Sequence, residues 1–233
     1  MELTPAQNLL YEQLWQIPPD CKEAEKLLEN GEYSSEDVSI VALLYVEECF
    51  EDGLARSALT DETKPIKPSP YDAGICSVIQ LLLPYGLDPN AIIYGQNIMW
   101  HLRYIRTPYV SADALHLLLT AGGNPDLDII GSGNLIEQTC FDVQYDTTGQ
   151  MDRTAFDCLV HYWMVLMGYY ADSKSSDYPL KTYSYGDCVD WSHFDPTNLR
   201  NHEGYFFGVS LAEKGVHHIH IYDNKNFWEV ARY

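Results

Sequence analysis

Three stretches of this chain end a leucine-rich helical segment in the same way. They are Lys26-Leu27-Leu28-Glu29-Asn30-Gly31, Leu81-Leu82-Leu83-Pro84-Tyr85-Gly86-Leu87-Asp88-Pro89-Asn90 and Leu117-Leu118-Leu119-Thr120-Ala121-Gly122-Gly123-Asn124-Pro125-Asp126. In the last two the glycine leads into Asp-Pro-Asn or Asn-Pro-Asp. Glycine reaches the left-handed conformation that stops a helix without the steric cost of a Cβ, and the proline beyond it forbids continuation. One such stop marks a helix end. Several in succession mark stacked helical units, each able to bury its apolar face only against a neighbour. This feature alone implies a mainly α chain.

The intervals refine the expectation. Gly31 and Gly86 are 55 residues apart, Gly86 and Gly122 are 36, and Gly122 and Gly168 are 46. The long first step contracts if 54–72, which holds three prolines among polar residues, is an exposed inserted loop. The third step needs a further insertion around 139–150. The apolar spacing predicts helices over 2–16, with Leu3, Leu9, Leu10, Leu14 and Trp15 on one face, and over 21–30. Further helices are expected from Ser34 to about Phe50, closed by Asp52-Gly53, and over 73–85, 96–104, 111–122 and 152–169. Ser111-Ala112-Asp113 supplies the expected cap of the sixth.

Leu-Leu-Leu-x-x-Gly-x-Asp-Pro-Asn resembles the junction between ankyrin repeats, where a second helix ends and the next hairpin begins. The likeness is closest at 81–90 and 117–126, partial at 27–31 and degraded at Val165-Leu166-Met167-Gly168-Tyr169. The family's Thr-Pro-Leu-His-like helix opening is replaced by Asn97-Ile98-Met99-Trp100 and Asn134-Leu135-Ile136-Glu137. The resemblance implies an irregular ankyrin-like array over 1–170. From 171 the pattern changes. Gly204–Leu211, Val216–Tyr222 and Phe227–Arg232 read as three strands of an antiparallel meander, a β-rich cap over 171–233 that makes the whole chain α+β.

Charge narrows the partners. The 233 residues carry 34 acids and 14 Lys or Arg, a formal charge of −20. The excess is steepest at the N-terminal end: 15 acids and 5 bases in 1–70, then 8 and 2 in 71–150, then 11 and 7 in 151–233. Such a field repels phosphate backbones and disfavours nucleic acid, leaving a basic protein as the natural complement. No run of about 18 apolar residues marks a membrane helix, and no leader is readable at Met1-Glu2-Leu3-Thr4-Pro5. Six scattered cysteines without a C-x-x-C pair fit buried thiols in a reducing cytoplasm.

Chemistry-bearing groups are sparse. His218 and His220 alternate in a strand and share a face, so with Asp223, His202 or His193 they could hold a metal, the basis of a metal-dependent hydrolase reading. An exposed polar face is the plainer reading. Cys140 and Cys158 with His161 could be taken for a thiol dyad but fit a helical core better. Gly131-Ser132-Gly133-Asn134 lacks a base for phosphate and reads as a turn. No nucleophile elbow, Walker loop, dinucleotide glycine pattern or zinc-protease motif occurs. No catalytic residue, metal ligand or cofactor is therefore assigned.

Eighteen tyrosines, several beside acids, suit a surface that meets Arg and Lys. The residues expected to form it are Glu47, Glu48, Glu51, Tyr94, Asn97, Trp100, Tyr104, Asp142, Tyr145 and Asp146. The expected function is non-enzymatic protein binding. By resemblance to acidic, ankyrin-like bacterial immunity proteins, the partner would be a basic cognate toxin. A general adaptor or scaffold is the neighbouring alternative.

Overall fold

The computed structural model describes residues 3–58, 68–107, 109–129, 133–135, 138–139, 153–166, 168–170, 181–183, 199–201, 205–211, 217–222 and 227–232, in places by backbone alone. These residues are mostly helical. The helices are α1 (Pro5–Leu14), α2 (Cys21–Asn30), α3 (Ser35–Ala58), α4 (Ile75–Leu82), α5 (Ile98–Leu102), α6 (Val110–Thr120) and α7 (Arg153–Leu166). α1 packs on α2 and α3; α3 packs on α4 and α5; α6 packs on α4, α5 and α7. Each helix thus meets near neighbours in sequence, and one continuous core runs from Leu10 and Leu14 through Tyr45, Ile79 and Leu118 to Trp163.

Local chemistry explains the helix starts. Thr4 and Gln7 form a reciprocal capping box at α1: Gln7 N donates to Thr4 Oγ1 at 3.2 Å, and Thr4 N donates to Gln7 Oε1 at 2.8 Å. Asp20 accepts from Glu23 N at 3.0 Å to open α2. At α3 the Ser34 hydroxyl accepts from Asp37 N, and Ser34 N donates to Asp37 Oδ2 at 2.9 Å. The serine contacts pull the Asp37 carboxyl below its usual range.

The glycine stops divide into two kinds. Gly86, Gly122 and Gly168 have φ of 97°, 103° and 85°, the left-handed stop expected of them. Gly31 does not: its φ is −101°, with ψ of 160°, because the chain runs extended from it toward Ser34 and α3. Glycine is needed there for space, since an added Cβ would lie 2.5 Å from Tyr33 Cε2 and 2.8 Å from the Leu27 carbonyl oxygen.

Behind the second and third stops the chain repeats one device. Asp88 Oδ1 accepts from Asn90 N at 2.9 Å, and Asn124 Oδ1 accepts from Asp126 N at 3.0 Å. Asn90 then joins the two turns, donating to the Gly122 carbonyl at 3.0 Å and accepting from Asn124 N at 2.7 Å. Short antiparallel pairings come after Gly86, Gly122 and Gly168: Ile93 with Gln96, β1 (Asp128–Ile129) with β2 (Gly133–Asn134), and β3 (Tyr169–Tyr170) with β4 (Lys181–Thr182). In the C-terminal third the backbone pairs antiparallel in the order β5 (Leu199–Asn201), β6 (Tyr205–Leu211), β7 (His217–Tyr222), β8 (Phe227–Arg232).

Several sequence expectations need correction. α3 does not close at Gly53 but continues to Ala58, since packing on α5 outweighs the roughly 1 kcal/mol that glycine costs inside a helix. α4 gives way to a 3-10 turn over Leu83–Tyr85, because Pro84 has no N–H to continue the α pattern. α6 starts one residue before Ser111, behind Tyr109 at φ +66°, with no side-chain cap. On α1, Leu9 is exposed and Gln7 is buried, held by its cap and by a 2.7 Å bond to Asp37 Oδ1. The 54–72 segment is not wholly exposed: Ser69 and Asp72 are buried, and Tyr71 stacks on Trp15 at 3.9 Å.

Candidate functional site

Of the residues expected to make the binding surface, Glu51, Trp100 and Tyr104 lie where α3 meets α5, and Tyr94 lies in the turn before α5. Glu48 and Glu51 are exposed on the second half of α3, and Glu47 is half-buried. Phe50, between them, holds the Tyr104 ring at 5.1 Å. Glu51 lies close enough to His101 to oppose the effect of burial, which lowers that imidazole's pKa. His101 Nε2 in turn hydrogen-bonds Gln96 Oε1, tying α5 to the 91–96 turn. At the tip of that turn Tyr94 is 79% exposed.

Arg103 organises the aromatic part. It is only 3% exposed, and its guanidinium carbon lies 4.8 Å from the centre of the Trp100 ring and 5.6 Å from that of Tyr104. Cation–π attraction of this kind holds both rings against the guanidinium. Trp100 is half-buried, and its indole N–H is buried without a hydrogen-bond acceptor among the described residues.

Asn97 is the clear correction. It is fully buried and serves as scaffold: Oδ1 accepts from Met99 N at 2.8 Å to cap α5, while Nδ2 donates to the Pro89 and Ala91 carbonyls at 2.9 Å each. A polar residue that opens a short helix is drawn under the preceding turn, because that turn's carbonyls need donors. Asp142, Tyr145 and Asp146 lie outside the described residues.

The same edge contains a buried carboxyl that sequence reading missed. Asp72 Oδ2 accepts from Ser69 N at 3.1 Å and from Thr107 Oγ1 at 2.5 Å, while Oδ1 is buried with no partner among the described residues. Burial pushes its pKa up to about 6, against those hydrogen bonds. Ser69 Oγ donates to Asp52 Oδ2 at 2.7 Å, so the stretch that enters α4 is pinned to α3. The neighbouring Cys49 thiol is raised by burial and by Asp72. Cys49, Ser69 and Asp72, with Phe50, Tyr104 and Arg106, line a cleft whose free volume of about 10 Å³ matches one water molecule. Such a space admits no substrate-sized ligand. The clue in the sequence was weak: Ser69-Pro70-Tyr71-Asp72 resembles any polar turn, and only burial distinguishes it.

The remaining candidates are placed elsewhere. Cys158 is buried in α7, and the His161 ring packs against Tyr109 at 5.0 Å; Cys140 lies outside the described residues. In β7 the backbone sets His218 opposite Ser210 and Ala231, and His220 opposite Gly208 and Glu229. Among the described residues, no three His, Cys, Asp or Glu side chains converge as a metal site would need. No helix among them is long and apolar enough to cross a membrane. Comparison with protein-family models, with curated proteins and with solved structures yields no match for the chain.

Proposed function

We propose that this protein is a non-enzymatic binding module of irregular ankyrin-like build that holds a basic protein partner against the α3–α5 edge. The observation that carries the reading is the edge itself: the exposed Glu51 carboxylate near His101 of α5, the Tyr104 ring on the adjacent Phe50, and a cleft there no larger than a water. Acid beside aromatic is the composition that receives Arg and Lys side chains, the carboxylate taking the charge and the ring taking the stem or guanidinium. A net charge of −20 adds long-range attraction and speeds encounter with a cationic surface.

The repeat reading is supported by the left-handed glycines at 86, 122 and 168, each succeeded by a short antiparallel pairing. In it, the C-terminal strands cover the last helical unit. A cytoplasmic bacterial immunity protein, neutralising a basic toxin by blocking its surface, is the form of the proposal that best uses so acidic a chain; an adaptor uses the same edge without a toxin. The test is titration calorimetry of the purified chain against the product of the neighbouring gene, at low and high salt. Tight binding that weakens steeply with salt is expected, as is loss of affinity in Glu48→Lys/Glu51→Lys. Affinity indifferent to both would overturn the edge as the contact surface.

A further inference from the structure

The 91–96 turn holds a residue that its own backbone disfavours. Ile93 N donates to the Gln96 carbonyl at 2.8 Å, and Gln96 N donates to the Ile93 carbonyl at 2.9 Å, closing a two-residue hairpin loop. The loop residues, Tyr94 and Gly95, both have positive φ, 53° and 77°. Positive φ at both positions is the type I′ pattern, whose first position strongly prefers Asn, Asp or Gly. Tyrosine there sets its Cβ against the backbone.

Nothing among the described residues offsets this. The Tyr94 side chain is 79% exposed and makes no hydrogen bond or ring contact with them, and even a Cβ placed on Gly95 would meet no atom within 4 Å. The tip therefore stands clear of the helices. Tyr109 also has positive φ, yet its ring packs on His161; Tyr104 is partly exposed, yet packs on Phe50. Tyr94 lacks any such internal reason. Ile92, 45% exposed, extends the apolar tip.

We infer that Tyr94 is an anchor by which this hairpin docks a basic protein surface, its ring receiving an arginine or lysine side chain. The inference rests on the binding function proposed above and assigns it a contact. Charge complementarity selects the occupant. The two bases of segment 71–150 are Arg103, which is buried, and Arg106, which is half-buried, so no exposed Lys or Arg of that segment competes for the ring. Exposed Glu51 lies near His101, which bonds Gln96 at the base of the same hairpin, and so adds negative charge close to it. Tyrosine suits the task because it offers a large rigid face at little entropic cost.

The experiment has two arms on the full chain, using Tyr94→Asn, Tyr94→Phe and Tyr94→Ala. Thermal melting is monitored by circular dichroism. Tyr94→Asn is expected to raise the midpoint by about 2–4 °C; a fall would overturn the claim that the fold does not need this tyrosine. In the second arm a displayed random peptide library is selected against the wild-type chain. Enriched peptides are expected to be cationic, to lose about tenfold in affinity for Tyr94→Ala and Tyr94→Asn, and to keep it for Tyr94→Phe. Cationic peptides bound equally by all variants would overturn the anchor and leave the basic-partner reading standing. Failure to enrich cationic peptides would overturn both.

Discussion

The first helical step, from Gly31 to Gly86, and the second, from Gly86 to Gly122, solve the same problem with different chemistry. Each must hold a loop against a helix pair and satisfy the polar groups trapped beneath. The second uses an amide: Asn97 is fully buried with three good hydrogen bonds. The first uses an acid: Asp72 is 3% exposed, keeps one oxygen without a partner among the described residues, and has its pKa raised to about 6. The glycines that open the steps differ in the same spirit. Gly31 is present for room, Gly86 for the sign of φ. A repeated sequence signal therefore need not report a repeated physical cause. The second step satisfies its buried amide with its own residues. The first depends on an inserted segment and on an ionisable group.

The largest test of that contrast is Asn97→Ala, which leaves Met99 N and the Pro89 and Ala91 carbonyls without the bonds they now have. Urea melts are expected to show a loss of about 3 kcal/mol, independent of pH. A loss under about 1 kcal/mol would mean that water takes over the amide's role, and that the second step is as tolerant as a surface loop.

Asp72→Asn probes the other side. Because the folded pKa is raised above that of the free carboxyl, the neutral form is the one the fold prefers. Its stabilising contribution is complete below about pH 4 and is lost as pH rises through about 6. Between those limits the wild type should lose about 2 kcal/mol more than the variant, read as the difference between two urea-melt series. Parallel curves would show that the carboxyl is as well solvated as a surface group and would erase the contrast with Asn97.

The glycines give smaller effects of different pattern. Gly31→Ala forces the Tyr33 ring and the Leu27 carbonyl to yield, and should cost about 1–2 kcal/mol, with Gly31→Asn no better. Gly122→Ala meets no atom within 4 Å and should cost only the backbone preference, about 1 kcal/mol. Gly122→Asn, which tolerates the left-handed region, should recover part of that. If asparagine behaves alike at the two sites, the division into two kinds of stop is wrong.

The helices were largely legible because apolar spacing is a local property. Val78, Ile79 and Leu82 recur at helical intervals and are all buried; so are Leu115, Leu118 and Leu119. The stops at Gly86, Gly122 and Gly168 were legible for a related reason: a helix end that runs into a glycine-marked turn admits few conformations, and glycine is the residue that reaches the left-handed one. Asn97 and Asp72 were not legible. A polar letter in a loop looks exposed until the chain around it is folded, and both lie under turns whose neighbours come from distant positions. Glu48, Glu51, Tyr94 and Tyr104 were placed on the surface from sequence, but the link from α3 through His101 to the hairpin tip could not have been.

By itself the sequence determined the consequences of short-range sterics and of summed charge: a helical chain, its principal stops, and an acidic surface. The tertiary structure decided which polar residues are buried, that Gly31 is constrained by packing and not by φ, and that Glu51 of α3 lies near His101 of α5 while Phe50 holds Tyr104. The reason is the range of the forces. Backbone preference acts within a few residues and can be read from letters. Burial depends on which segments meet across the chain, and it can turn the same asparagine, aspartate or glycine to a different use.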